Sequence, residues 1–301
     1  MQFDPTEPMA LLPSFAAQIV MQIMGERGPA LSVSTQKTIE AMGTERPQPY
    51  TTDGEQRSEI TATGKGGMLA VVPLWGVLSP DGRYYGTSLD DFSRTIRALD
   101  ANSNVSDIVI NITSPGGTVT GTPEAAEAVR RVRDNGQTRV AAVANGMMAS
   151  AATWIGAAAG EVVITPSGEA GSIGVISMYA DYSKMLETAG IKVDVMRTPA
   201  KKARFSGVEP LSDEMRQLVE TRLAQSYEAF KRAMADNRGV RIDQVEGKFG
   251  GGEMMSAKEA VEAGLVDRIG TLDETIARLA KKRAPSSARA QLAKVELDSL
   301  L

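Results

Sequence analysis

The chain contains no cysteine and no histidine. The first absence removes disulfides, thiolate nucleophiles and cysteine-bound zinc. The second removes the commonest metal ligand and the commonest general base. A formal net charge of -4, with no strongly basic stretch, argues against a nucleic-acid footprint. Long apolar runs are also scarce. The uncharged run from Pro8 to Gly25 carries Pro13, Gln18 and Gln22, and follows Asp4 and Glu7 where a secretory signal needs Lys or Arg, so no stable membrane insertion is expected. The chemistries that survive these exclusions are carboxylate chemistry, metal binding through oxygen, lysine chemistry, or a serine or threonine nucleophile with a base other than histidine.

What is present describes a soluble globular protein: 301 residues, 42% hydrophobic and 23% charged. Ser14 to Met24 reads as a short amphipathic helix with Phe15, Ile19, Val20 and Ile23 on one side, a docking element. Residues 26–67 are rich in Gly, Pro, Thr and charge without a sustained period, so 1–66 are expected to form a helix and flexible linker arm. The packed domain is then expected over 67–280, with a mobile, locally basic tail over 281–301.

Within that domain, short apolar runs at 68–78, 105–112, 139–144, 161–165, 174–178 and 191–196 read as strands. They alternate with punctuated helices. Thr122 is the expected N-cap of a helix stopped by Gly136, Ser256 and Glu259 form a capping box, and a long helix comes after "EPLSD" with Met215, Leu218, Val219, Leu223, Tyr227, Phe230 and Met234 along one stripe. This alternation is the mark of an α/β fold with a mostly parallel sheet flanked by helices.

Two segments carry groups that could do chemistry. "NITSPGGTVTG", 111–121, comes directly after a strand, and its Pro-Gly-Gly turn can leave amide N–H groups uncovered for a developing oxyanion. A tight strand-to-helix turn explains it equally well. "NGMMASAATWIGAAAG", 145–160, places Ser150 between a strand and a helix, with the Ala151 amide beside it. The plain alternative is a helix of small residues packed closely on the sheet. Asp107, Asp194 and Glu209 form no paired-carboxylate spacing, so no metal site is expected.

The order "SPGG", "MMASAATWIGAAAG", "AGSIGV", then a lysine ahead of "EPLSDEMRQLVETRLAQSYEAFKRAMADNRG", resembles the signal peptide peptidase A family of serine peptidases, most closely its phage head maturation protease branch. The likeness covers roughly 66–275. It implies a Clp protease/crotonase-like fold and a Ser-Lys dyad that needs no histidine, metal or other cofactor. Carried onto this sequence, Ser150 is the nucleophile and Lys202, 52 residues further on, the general base, with Lys201 the neighbouring candidate. Gly117 and Ala151 supply the oxyanion-hole amides, and Gly116 and Ser172 support the site. After the lysine this chain has "ARFSGV", where many relatives have an Asp-Gly-Asn-Pro-like run.

The resemblance further implies a serine endopeptidase forming homo-oligomeric rings and processing phage scaffold, capsid or portal proteins within the procapsid, in the cytoplasm of an infected bacterial host. Two other classes fit the fold: a non-catalytic capsid-assembly ring protein, and a crotonase-like acyl-CoA enzyme that would need neither Ser150 nor Lys202.

Overall fold

The computed structural model describes residues 9–11, 59–62, 68–82 and 86–281. The helix expected over Ser14 to Met24 and the tail beyond Lys281 lie outside them. Nine strands form one sheet: β1 (Met9–Leu11), β2 (Glu59–Ala62), β3 (Met68–Leu78), β4 (Val105–Thr118), β5 (Arg139–Ala149), β6 (Glu161–Ile164), β7 (Glu169–Gly171), β8 (Met254–Ser256) and β9 (Arg268–Ile269). The central path runs β2-β3-β4-β5-β6-β9, parallel from β3 to β9, with β2 antiparallel on the edge. β7 pairs with the end of β5 and with β8, and β1 pairs with the end of β4. Two short pieces of the stretch expected as an arm, 9–11 and 59–62, therefore take part in the sheet.

The helices are α1 (Leu89–Asp100), α2 (Thr122–Asn135), α3 (Ala151–Ala157), α4 (Ser183–Thr188), α5 (Asp213–Arg238), α6 (Val245–Lys248), α7 (Ala257–Glu262) and α8 (Leu272–Lys281). Helices α1, α2 and α3 and the C-terminal half of α5 cover one face of the sheet, where Ile108, Ile110, Ile112, Val129, Ile155 and Phe230 are buried. The other face is covered by α8, whose Leu279 packs with Leu69, Val109, Val143 and Val163. Sidedness of this kind comes from the strand pleat, which sends successive residues of β4 to opposite faces.

Several expectations need correction. The runs at 174–178 and 191–196 are not strands. Among the described residues Ile176 makes only an isolated bridge, 191–196 lie in no ladder, and Ile191, Val193 and Met196 are exposed instead of packed. The N-cap of α2 is Gly121, at φ 86°, because the Thr122 hydroxyl donates to the Thr118 carbonyl (2.7 Å) and so ties the helix to the end of β4. The Ser256–Glu259 capping box of α7 is present. On α5, Ser212 caps the first turn, but only Met215, Phe230 and Met234 of the apolar stripe are buried, and Leu218 is exposed. Among the described residues no helix is long and apolar enough to cross a membrane.

Candidate active site

β4 and β5 are both longer than their apolar runs, and the extra residues build the site. β4 changes register against β3 between Trp75 and Val77, and against β5 between Ile112 and Ser114. Such slips bend a strand and re-aim the residues beyond the bend. The buried Ser114 hydroxyl closes the bend, donating to the Gly76 carbonyl (2.7 Å) and accepting the Gly116 N–H (3.1 Å). The two glycines after Pro115 are needed for different reasons. Gly116 stands at φ 99°, in the left-handed region that glycine tolerates. Gly117 lies against the end of β3, where a Cβ would sit 1.8 Å from the Leu78 carbonyl oxygen.

Directly after β5 comes Ser150, the N-cap of α3, at φ 55° and ψ −115°. A serine held at positive φ is a strained strand-to-helix turn, and the surrounding bonds hold it there. Its N–H donates to the Gly171 carbonyl (2.8 Å), its carbonyl accepts the Trp154 N–H (3.0 Å), and its fully buried hydroxyl donates to the Gly174 carbonyl at 3.4 Å. The next amide, Ala151, opens α3, and helix geometry gives such first-turn N–H groups no intrahelical acceptor.

Close packing of α3 sets the height of this turn. A Cβ on Gly156 would meet the Met148 sulfur at 2.5 Å and the Ile112 Cδ1 at 2.9 Å, and Trp154 stacks on Phe230 at 4.5 Å between centroids. A residue that the sequence reading missed completes the clasp. The buried Thr153 hydroxyl donates to the Met148 carbonyl (2.6 Å), with the Gly171 carbonyl 3.0 Å away, and accepts the Gly171 N–H (3.4 Å). It thus joins α3 to the ends of β5 and β7. Its signal was a lone threonine three residues after the serine, in a helix of small residues. Ser172 comes immediately after β7, buried and at φ 54°, with its N–H donating to the Glu253 carbonyl (2.8 Å).

The register Ser114↔Met148, with Met148↔Ala170 on the far side of β5, brings Gly116, Gly117, Ser150, Ala151 and Ser172 to the carboxyl ends of adjacent strands. That end is where parallel α/β sheets bind ligands. Lys202 is not joined to them within one chain. It lies in a turn after α4, its N–H donating to the Pro199 carbonyl (3.0 Å), its side chain exposed, and Ala203 beside it at φ 57°. The lobe carrying it is organised by Tyr179, whose ring meets Phe205 edge-on at 4.8 Å and whose hydroxyl donates to the Glu209 carbonyl. Burial pushes that hydroxyl's pKa up. Lys201 pairs with Glu214 (3.2 Å), as does Arg204 (2.6 Å), and these cations, Arg204 first, hold the Glu214 carboxyl below its ordinary range. The three carboxylates considered in the sequence form no pair with one another: buried Asp107 binds Arg139 (2.6 Å) and accepts the Ser106 hydroxyl (2.8 Å), Asp194 binds Lys192 (3.5 Å), and Glu209 binds Arg197.

Residues 133–285 match the model of peptidase family S49, and residues 84–169 match that of Clp protease, so the parallel sheet with its flanking helices is Clp-protease-like. The chain is 27% identical over 284 residues to the head-tail preconnector protein GP5 of Enterobacteria phage P21, covering 91% of this chain and 55% of that protein. It is 26% identical over 273 residues to the capsid assembly protease C of Escherichia phage lambda, covering 87% and 61% respectively. Protease 4 of Salmonella typhi is 28% identical over 222 residues, covering 73% of this chain and 35% of that protein. The chain thus spans less than two thirds of the length of each of these relatives.

Proposed function

The chain belongs to peptidase family S49, and from that premise we propose that it is a serine endopeptidase with Ser150 as nucleophile and Lys202 as general base. The observation that carries this reading is the backbone of Ser150, a buried serine at φ 55° on a strand-to-helix turn. Strain of that kind is retained where the turn must present a side chain.

In this mechanism Ser150 Oγ attacks the substrate carbonyl carbon while its proton passes to Lys202 Nζ. The Gly117 and Ala151 amides receive the oxyanion. The C–N bond then breaks as Lys202 returns the proton to the leaving amine; in the second half Lys202 takes a proton from the water that attacks the acyl carbon, and passes it to Ser150 Oγ as the ester C–O bond breaks. Lysine acts so only when neutral, and its ordinary pKa of about 10.4 leaves it charged near pH 7. Burial among apolar groups favours the neutral amine.

We assign that burial to assembly. The lobe carrying Lys202 exposes Met185 (60%), Ile191 (54%) and Met196 (95%), a hydrophobic surface suited to a neighbouring subunit of a homo-oligomeric ring. Lys201 is the poorer candidate, since its ammonium is already held by Glu214 at 3.2 Å. The peptidase unit is then 67–280. Scaffold, capsid or portal proteins are then the proposed substrates, cut within a procapsid in the host cytoplasm, a reading supported by the phage proteins among the relatives.

The test is intact-mass and gel analysis of the wild type, Ser150→Ala, Lys201→Ala and Lys202→Ala, incubated alone and with casein from about pH 6 to pH 10, a range chosen to approach the lysine pKa. Cleavage should rise with pH, vanish in the Ser150 and Lys202 variants, and survive in Lys201→Ala. Four proteins behaving alike would overturn the reading. Assembly without cleavage would then favour a ring-forming scaffold, and binding of coenzyme A a crotonase-like enzyme.

A further inference from the structure

A strand has two edges, and the residues beside Ser150 use both of theirs. At Gly116 and Gly117, β4 is paired on one edge with β3, through Val77↔Gly116 and Leu78↔Gly117. The other edge belongs to β5 as far as Ser114↔Met148; β5 itself ends at Ala149, one residue before Ser150, with its far edge paired to β7 over Met147–Ala149. Beyond that point the edge is open to a new strand, and the chain fills it with its own residues. β1 runs antiparallel along it, with Leu11↔Gly116, Ala10↔Gly117 and Met9↔Thr118. Since β3 closes the opposite edge, an extended peptide can reach the Gly117 amide by strand pairing only where β1 now lies. Pro8 and Pro13 flank this short segment, and proline cannot donate to a ladder, which limits pairing to the residues between them.

We propose that residues 9–11 are an intramolecular occupant of the edge Gly116–Thr118, lying antiparallel where an extended substrate would pair by β-augmentation and so competing with it. The inference rests on the reading of Gly117 and Ser150 as parts of a peptidase site. Backbone pairing makes the edge tolerant of substrate sequence, and the tethered segment lowers the apparent affinity for substrate by the fraction of chains whose edge is open. If about one edge in ten is open, freeing it raises kcat/KM about tenfold, through KM.

The test uses the full chain carrying Ala10→Pro and Leu11→Pro together. Successive N–H groups of a strand point to opposite sides, so one of the two prolines removes a donor facing β4. Two readouts separate this proposal from the peptidase reading. The first is fluorescence anisotropy of a labelled peptide of residues 5–15 with Ser150→Ala chains, with and without the proline pair, which needs no catalysis. The second is casein hydrolysis by chains with Ser150 intact. The proline pair should tighten the peptide about tenfold and lower KM with kcat unchanged. Equal peptide binding with and without the proline pair overturns the occupant, even if casein is cut. Tighter binding without cleavage by any chain upholds the occupant and sinks the peptidase reading. A gain that appears only above a threshold protein concentration makes the occupant a neighbour's segment and overturns the intramolecular form. A single cooperative melt and a far-UV circular dichroism spectrum matching the parent's verify that the variant is folded, with a melting temperature lowered only by the loss of the tenfold occupancy.

Discussion

If the backbone at Ser150 is strained, releasing the strain should stabilise the protein while destroying its activity. The comparison that isolates the effect is Ser150→Gly against Ser150→Ala, because both lose the hydroxyl and its 3.4 Å contact with the Gly174 carbonyl. Alanine keeps a Cβ at φ 55°, whereas glycine does not. A residue held in such a region costs about 1–3 kcal/mol. Against that relief stands the greater freedom of glycine in the unfolded chain, worth about 0.5–1 kcal/mol. The balance favours glycine by about 1 kcal/mol. For a domain of this size that is a rise in Tm of about 2–4 °C over the alanine variant. Thermal melts by circular dichroism, with urea melts to confirm an unchanged m-value, read the difference directly. A glycine variant that melts at or below the alanine variant would refute the argument. The turn would then be relaxed, and the bonds from Gly171 and Trp154 would not be holding Ser150 against a preference of its own.

Thr153→Val keeps the shape of the buried side chain but strips the hydroxyl from the Met148 and Gly171 backbone groups, so stability should fall by about 1–3 kcal/mol. If the clasp also positions Ser150, kcat should fall by up to about 10²-fold with KM little changed, and a loss of stability alone would make Thr153 purely structural. Gly117→Ala should be among the most damaging substitutions in the chain, costing about 3 kcal/mol or more, because the new methyl meets the Leu78 backbone oxygen at 1.8 Å and no rotamer can move it away. Gly247→Ala, which meets nothing within 4 Å in a short helix, is the matched control and should change stability by less than about 1 kcal/mol.

How much of this could be read from the sequence varied with what carried the signal. β3 has the bounds its apolar run suggested, because each of its residues faces either a core or a neighbouring strand. β4 and β5 outran their apolar segments, since "SPGG" and "NGMM" carry no hydrophobic period and are placed by backbone pairing, the Ser114 hydroxyl and the single buried Met148. The runs at 174–178 and 191–196 mislead in the opposite sense. Their alternation is that of a strand, but period reports which side chains could share a face, and among the described residues they form no ladder beyond an isolated bridge at Ile176. Ser150 was legible as a serine between a strand and a small-residue helix. The β1 pairing and the Thr153 clasp were not, because both depend on which chain segments the fold brings to the end of β4. The position of Lys202 relative to Ser150 likewise has no local signature: it follows the serine by 52 residues and belongs to a separate lobe.

The two readings open at the sequence level, close packing or chemistry, turn out to be a single arrangement. Gly117 is a glycine because the end of β3 comes within bonding distance of where its Cβ would be, and that approach leaves the far edge of β4 facing the end of β5. Gly156 is a glycine because α3 lies directly on Met148 and Ile112, and that approach sets where α3 begins, and so where Ser150 must turn. Had α3 stood off by the width of a methyl group, β5 could have entered it through a relaxed cap, with Ser150 at negative φ. The tight contacts convert packing energy into backbone strain at one residue, so substitutions that loosen α3 should move Ser150 before they unfold the sheet. Gly156→Ala is the sharpest case. Its methyl presses on the flexible Met148 side chain, which can yield, so activity should drop by more than the loss of stability accounts for. Parallel measurement of Tm and kcat on that variant decides the point: a fall in Tm with kcat intact would mean that α3 and the serine turn are not coupled.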